Sequence, residues 1–329
     1  MSNKTRLAVA LSAALALTAS TGMIAAAQDD EMAEGGLICV IVPPLNNPFW
    51  IAMQDIAAAK AEELGYTTEK LIHDDDANLQ YEQYESCIAQ GAVAIILDNA
   101  GADASVAAIQ LAKDAGVPSF LVDREITEEG VAVSQIISNN YQGATILADY
   151  FAEIMEESGT FIELTGRDTD TNAHVRSDGY NEVLGEFPDM ERVAQQTANW
   201  SQDEALQVTE ALLQQFPDVK GIIAGNDTMA LVAQAAVMAA GKPEIIVVGF
   251  DGSDDAMISI NQGELDATSL QPVAEMAIQS AVQADAYLKT GDTGKDEKQS
   301  IDMVLVTPDN ACDFYQFTPV DPGTSPNCQ

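Results

Sequence analysis

The chain has 329 residues, 47% of them hydrophobic and 6% aromatic, with 14 Lys and Arg against 52 Asp and Glu and a formal net charge of −38. So acidic a protein repels a phosphate backbone, which excludes nucleic-acid binding. The acid excess fits a solvated surface, a saline habitat or docking onto a basic partner, and composition does not separate these.

At the start, Lys4 and Arg6 precede an apolar run over residues 7–17, and Ala25-Ala26-Ala27 offers small residues for cleavage. Residues 1–27 therefore read as a signal peptide, with the mature chain starting at Gln28. Its removal leaves 12 basic residues against 52 acidic ones, a formal charge of −40. The run is too short to span a membrane, and no later stretch reaches about 18 uninterrupted apolar residues. A soluble protein exported to the periplasm is expected. Cys39 lies too far past the cleavage point, and after Ile38 rather than a small residue, to carry a lipid. Asp29, Asp30 and Glu31, with Gly35-Gly36, read as a disordered leader to the first strand.

About 300 mature residues favour two domains over one. Short β-rich runs lie at 37–42, 67–72, 92–98, 118–123, 132–138, 160–164, 192–198, 219–224, 245–250, 267–270 and 301–306. Helix-like segments alternate with them, the pattern of parallel sheets built from βαβ units. Helix stops are legible at Gly65, at Gly91 and at Gly116 with Pro118 beyond it. Asn47 followed by Pro48 marks a capped helix start. Eleven strands exceed one tidy doubly wound sheet, so two α/β lobes follow.

Export makes disulfides admissible, and the 4 cysteines allow three pairings. Cys39–Cys87 and Cys312–Cys328 are preferred: the first would join a strand to the helix covering it, the second would pin a tail containing Pro319, Pro322 and Pro326. For the first pair, free buried thiols remain the alternative. A catalytic thiol has no compelling base, since His73 and His174 are the only histidines.

The residues that look out of place share a location. In "PPLNNPFW", Asn47, Phe49 and Trp50 follow the first strand; Asp123 and Arg124 end "PSFLVDR"; Asn226 follows "GIIAG"; Phe250 and Asp251 end "IIVVGFD"; Gln271 ends "ATSLQ". In open parallel sheets, ligands bind at the carboxyl ends of the strands. Carboxylates, amides and a guanidinium suit hydroxyls that both donate and accept, and rings suit the apolar C–H faces of a sugar. Phe49, Trp50, Trp200 and Phe250 are the candidate plates. One such ring reads as core, but four at strand ends among polar groups read as a site.

These residues also carry a resemblance. "LNNPFW", "VPSFLVDRE", "GNDTMAL", "VVGFDGS" and "ATSLQ", in that order, resemble the ribose-binding-protein group of periplasmic sugar-binding proteins of ABC importers, over nearly the whole mature length. That resemblance implies the type I fold: two doubly wound parallel-sheet lobes joined by a three-strand hinge, with residues 28–138 and 272–302 in the first lobe and 139–271 and 303–329 in the second. It implies sugar contact for Asn47, Phe49, Trp50, Asp123, Arg124, Asn226, Phe250, Asp251 and Gln271, with Trp200 of "TANWSQDEA" where the family often has a ring. It also implies a membrane permease partner, a chemoreceptor in some members, and a monomer without cofactor or metal. In "TNAHVRSDGY", His174 falls where ribose and galactose binders carry a ligand-contacting arginine, while Arg176 matches a neighbouring basic position. An imidazole there changes hydrogen-bond geometry and makes a contact titratable. A pentose or small polyol is the favoured ligand, with hexoses and inositols open.

Asp168-x-Asp170-x-Asn172 is similar to the opening of a calcium loop, but Ala173 and Gly179 stand where that loop needs glycine and glutamate. "HDDD", residues 73–76, reads as a strand end entering a solvated loop. A carbohydrate-active enzyme is the rival reading, since Asp123 and Asp251 could pair as glycosidase carboxylates. Arg124 beside them is expected to hold both ionised, which disfavours an acid catalyst. A sugar-responsive repressor would need a basic DNA-binding head where this chain has its signal peptide.

Overall fold

The computed structural model describes residues 35–328. The signal peptide and the acidic leader at residues 29–31 lie outside the described residues.

The chain first builds β1 (Leu37–Val42), α1 (Pro48–Glu63), β2 (Thr67–Ile72), α2 (Ala77–Ala89), β3 (Ala92–Leu97), α3 (Val106–Asp114), β4 (Ser119–Val122) and β5 (Ser134–Ser138). A second series follows: α4 (Asn140–Ile154), β6 (Gly159–Thr165), α5 (Thr171–Leu184), β7 (Met190–Thr197), α6 (Gln202–Gln215), β8 (Gly221–Ala224), α7 (Asp227–Ala239), β9 (Ile246–Asp251), α8 (Asp254–Asn261) and β10 (Ala267–Leu270). Then come α9 (Val273–Thr290), β11 (Lys298–Ile301), β12 (Val304–Val306) and a small hairpin of β13 (Phe314–Tyr315) and β14 (Thr318–Pro319).

Two six-stranded sheets result, ordered β11-β5-β4-β3-β1-β2 and β12-β10-β9-β8-β6-β7. All neighbours pair in parallel except β10 with β12. On β1, Ile38, Val40 and Val42 join one apolar cluster with Met53 of α1 and Met276 of α9, while Cys39 and Ile41 join another with Tyr84 of α2 and Ile109 of α3. A strand buried on both faces requires helices on both sides of its sheet. Cys39 is bonded to Cys87 of α2, and Cys312 to Cys328 in the tail.

The chain passes between sheets after β5, after β10 and after β11. Two crossings are tied together, with Asn139 Nδ2 donating to Asp302 Oδ1 at 2.8 Å. This corrects one expectation: the run 301–306 is not one strand, because it changes sheets at Asp302-Met303, leaving β11 in the first and β12 in the second. The tail hairpin was not foreseen either, since strands of two residues are too short to show a period.

Candidate functional site

Where the two sheets face each other with their carboxyl ends lies a small cavity, with about 20 Å³ open to water-sized atoms. Asn47, Phe49, Trp50, Asp123 and Arg124 line it from the first lobe; Asp170, Asn172, Arg176, Trp200, Asn226 and Asp251 line it from the second, with Gln271 at a crossing.

Helix starts set much of this. Asn47 caps α1, its Oδ1 accepting from Phe49 N at 2.9 Å, with Pro48 at the first helical position. Asn226 caps α7 in the same manner, accepting from Met229 N at 2.9 Å. Each cap uses the amide oxygen. The Nδ2 donors of both residues are left uncommitted toward the cavity.

Each lobe places a guanidinium over an aromatic ring. Arg124 lies 5.2 Å from the Trp50 ring centroid; Arg176 lies 5.2 Å from that of Trp200 and 3.9 Å from that of Phe250. Such contacts contribute about 0.5–2 kcal/mol each, most where water is excluded. Arg124 Nη1 donates to Asn99 O at 3.0 Å, and its Nε is 2.8 Å from Asp170 Oδ2, close enough for an ion pair though not aligned as a hydrogen bond. Asp98 Oδ1 stands behind at 3.5 Å. Arg176 donates through Nε to Asn140 Oδ1 at 2.8 Å and through Nη1 to Gly225 O at 2.7 Å and Asp251 Oδ1 at 3.3 Å.

Trp200 is held by its surroundings. Its Nε1 donates to Asp170 Oδ2 at 3.1 Å. A Cβ at Gly166 would fall 1.9 Å from its Cζ2, and one at Gly225 would fall 2.9 Å from its Cζ3, so neither position admits a side chain while the ring stays in place. Gln271 donates Nε2 to Asp251 Oδ1 at 2.7 Å, and its buried Oε1 has no protein donor.

Asp123 and Asp251 occupy equivalent places, after β4 and at the end of β9, and both hold positive φ, 67° and 115°. Non-glycine residues held there concentrate at functional sites. Burial pushes each carboxyl up to about 7, with Arg124 acting against it at Asp123 and Arg176 at Asp251. The expectation that Arg124 keeps both fully ionised is thereby corrected: desolvation outweighs the cations. Behind Asp251, burial raises Asp227 to about 6 although Thr268 and Ser253 donate to it. Burial alone would lower Arg124, but Asp170, Asp98 and Asp75 more than offset it and keep it charged.

Two expected contacts lie elsewhere. His174 is exposed, its Nε2 paired with Asp168 O at 2.8 Å outside the cavity. On α5, residues two apart point about 200° apart around the axis, so Arg176, not His174, turns inward. Phe250 is fully buried beneath Arg176 and supports it without lining the cavity. Asp170 and Asn172 were not anticipated as lining residues. Their signal was the calcium-like spacing: Asp170 caps α5, accepting from Asn172 N at 3.0 Å, and Asn172 reaches across to Asp123 Oδ1 at 3.4 Å.

With this geometry in place, three comparisons bear on it. The periplasmic binding protein domain family matches residues 38–293. The D-apiose import binding protein of Actinobacillus succinogenes is 53% identical over 306 residues, covering 93% of this chain and 96% of that protein. The ribose import binding protein of Escherichia coli is 32% identical over 287 residues, covering 87% and 94%. Among solved structures, an ABC transporter periplasmic solute binding protein from Actinobacillus succinogenes with bound D-allose superposes with a TM-score of 0.80 at 25% identity, covering 85% of this chain and all of that one.

Proposed function

Since the chain belongs to the periplasmic binding protein family, we propose that it captures a pentose, with D-apiose the first candidate, between two closing lobes and delivers it to an ABC permease. It is a sugar- or polyol-binding component of an ABC importer in the periplasm, and not an enzyme. The first lobe comprises residues 28–138 and 272–302, the second 139–271 and 303–329, and the three crossings form the hinge. Export runs through the signal peptide at residues 1–27, and the protein acts as a monomer.

The carrying observation is the cavity itself. Its lining is polar and aromatic and comes from both lobes. Within it, Asp123 and Asp251 offer acceptors, Asn47, Asn226 and the two arginines offer donors, and Trp50 and Trp200 offer apolar faces from opposite lobes. That set matches a small ring carrying hydroxyls. The relatives that share half of this sequence carry the name of D-apiose, which ranks it ahead of other pentoses.

The test is calorimetric titration of the mature protein, unfolded and refolded to strip carried-over ligand, with D-apiose, D-ribose, D-allose and myo-inositol. D-apiose should bind most tightly. Tighter binding of the hexose or the inositol would overturn the pentose reading, and no heat from any of them would overturn sugar binding at this cavity.

A further inference from the structure

The tail after β12 lies beyond the family match and lines no part of the cavity. It is nevertheless firmly built. The bond Cys312–Cys328 closes it over a sequence separation of 16, limiting the conformations open to it. Asp254, at the start of α8 in the second lobe, accepts Gln316 N at 2.8 Å and Asn327 Nδ2 at 3.0 Å through one oxygen. Ala311 and Phe314 are buried, in one apolar cluster with Met257 and Ile260 of α8.

Residues 316 and 317 form the turn of the β13–β14 hairpin. Gln316 and Phe317 both hold positive φ, 49° and 59°, a conformation that bulky residues keep only when their surroundings enforce it. Phe317 is only 5% exposed. Its ring stands edge-on to Phe49 of the first lobe, with centroids 5.8 Å apart and planes at 87°. Phe49 in turn lines the cavity.

We propose that the tail is a clasp: Phe317, carried by the second lobe, crosses to back Phe49 when the lobes close, and thereby positions the ring that faces the ligand. The clasp rests on the sugar-binding reading of the cavity. Opening separates the two rings and exposes both to water. Apolar burial therefore favours the closed form before any ligand contact is counted, and a protein whose binding-competent form is more populated binds more tightly. The gain falls on dissociation, because the clasp engages only after closure. Phe317 touches no ligand and acts through Phe49.

The test uses the full mature chain with one spin label on an exposed site of each lobe, with and without D-apiose. Phe317→Ala should shift the lobe-to-lobe distances toward longer values. It should also speed D-apiose dissociation about tenfold, the size expected for losing one buried aromatic contact. The ligand-free melting temperature should stay within about two degrees of wild type. Phe317→Leu, which keeps an apolar tip, should restore most of the slow dissociation, a rescue that guards against misfolding of the alanine variant. The double variant Cys312→Ser with Cys328→Ser should fall between wild type and Phe317→Ala. Unchanged distances and dissociation in Phe317→Ala would overturn the clasp. Should wild type fail to bind D-apiose, the ligand reading falls, and the ligand-free distances of wild type and Phe317→Ala still decide the clasp by themselves.

Discussion

The two lobes present the same device, a guanidinium over an indole beside a strand-end aspartate, but complete it differently. All of Arg176's partners, Asn140, Gly225 and Asp251, belong to its own lobe. Arg124 keeps Asn99 and Asp75 near it at home, yet its closest carboxylate oxygen is Asp170 Oδ2, from the opposite lobe. The same edge carries further cross-lobe links: Arg167 Nη2 to Asp75 Oδ2 at 2.9 Å, Ala102 N to Thr169 O at 3.1 Å, and Asn172 to Asp123. On the proposed closing of the lobes, the Arg176 half of the site is complete within one lobe, and the Arg124 half is completed across the cleft. A ligand drives closing only through contacts that differ between the open and closed forms, so the first lobe is where those contacts concentrate.

The largest effect that could break this comparison is the loss of either arginine. Arg124→Ala and Arg176→Ala should each weaken sugar binding by about a hundredfold or more, since each strands buried carboxylates without their cation. They should part company in the ligand-free protein. Arg176→Ala lowers its melting temperature by several degrees, because bonds made within one lobe are lost; Arg124→Ala lowers it less. Equal losses, measured by calorimetry on both variants, would erase the distinction between a prebuilt half and a closure-built half.

A smaller and sharper probe is Asp170→Ser. Serine still caps α5, so the local helix start survives. What goes is the pair with Arg124 and the acceptor for Trp200 Nε1. Affinity should fall about tenfold with the ligand-free melting temperature nearly unchanged. A melting loss as large as that of Arg176→Ala would make Asp170 a support of the second lobe instead of a link between lobes.

Much of this was legible because parallel sheets leave a plain record. The β-rich runs that became β1, β2 and β10 were bounded to the residue, and the glycine stops located the helices. Strand-end residues such as Asp123 and Asn226 stood out because a polar group directly after an apolar run has no role in the core. Inside helices that contrast disappears. Asn172 and Arg176 sit in a polar stretch, where only the helical phase, about 100° per residue, separates an inward side chain from an outward one. His174 accordingly reads as the inward residue, the place that Arg176 takes. The run 301–306 read as one strand from its residues, although the resemblance placed the crossing between residues 302 and 303; the structure ends β11 at Ile301 and starts β12 at Val304, with Asp302 tied to Asn139.

The pH dependence follows from the strained aspartates, and it refines the comparison since one sits in each lobe. Burial raises the Asp251 carboxyl from its usual range to about 7. The folded protein therefore holds a proton that the unfolded chain has released between about pH 4 and 7. Stability from that proton is complete at the acid end and is lost as pH rises through 7. Asp123, raised to about 7, and Asp227, raised to about 6, act in the same direction. The ligand-free melting temperature should fall across this window at fixed ionic strength. In Asp251→Asn the fall should be shallower by a few degrees, with Asp123, Asp227 and the buried Asp98 supplying the remainder against His73, whose burial lowers it to about 4 and acts in the opposite direction. An identical slope in variant and wild type would remove Asp251 from the account.

The smallest effect expected is none. His174→Ala should leave sugar affinity within about twofold of wild type at pH 5.5 and at pH 7.5, because its exposed ring contacts Asp168 O on the outside of α5 while Arg176 occupies the inner face. A tenfold loss at either pH would mean that the start of α5 rotates on closing. The inward side of the second lobe would then be assembled by the ligand too, and the contrast between the lobes would have to be abandoned.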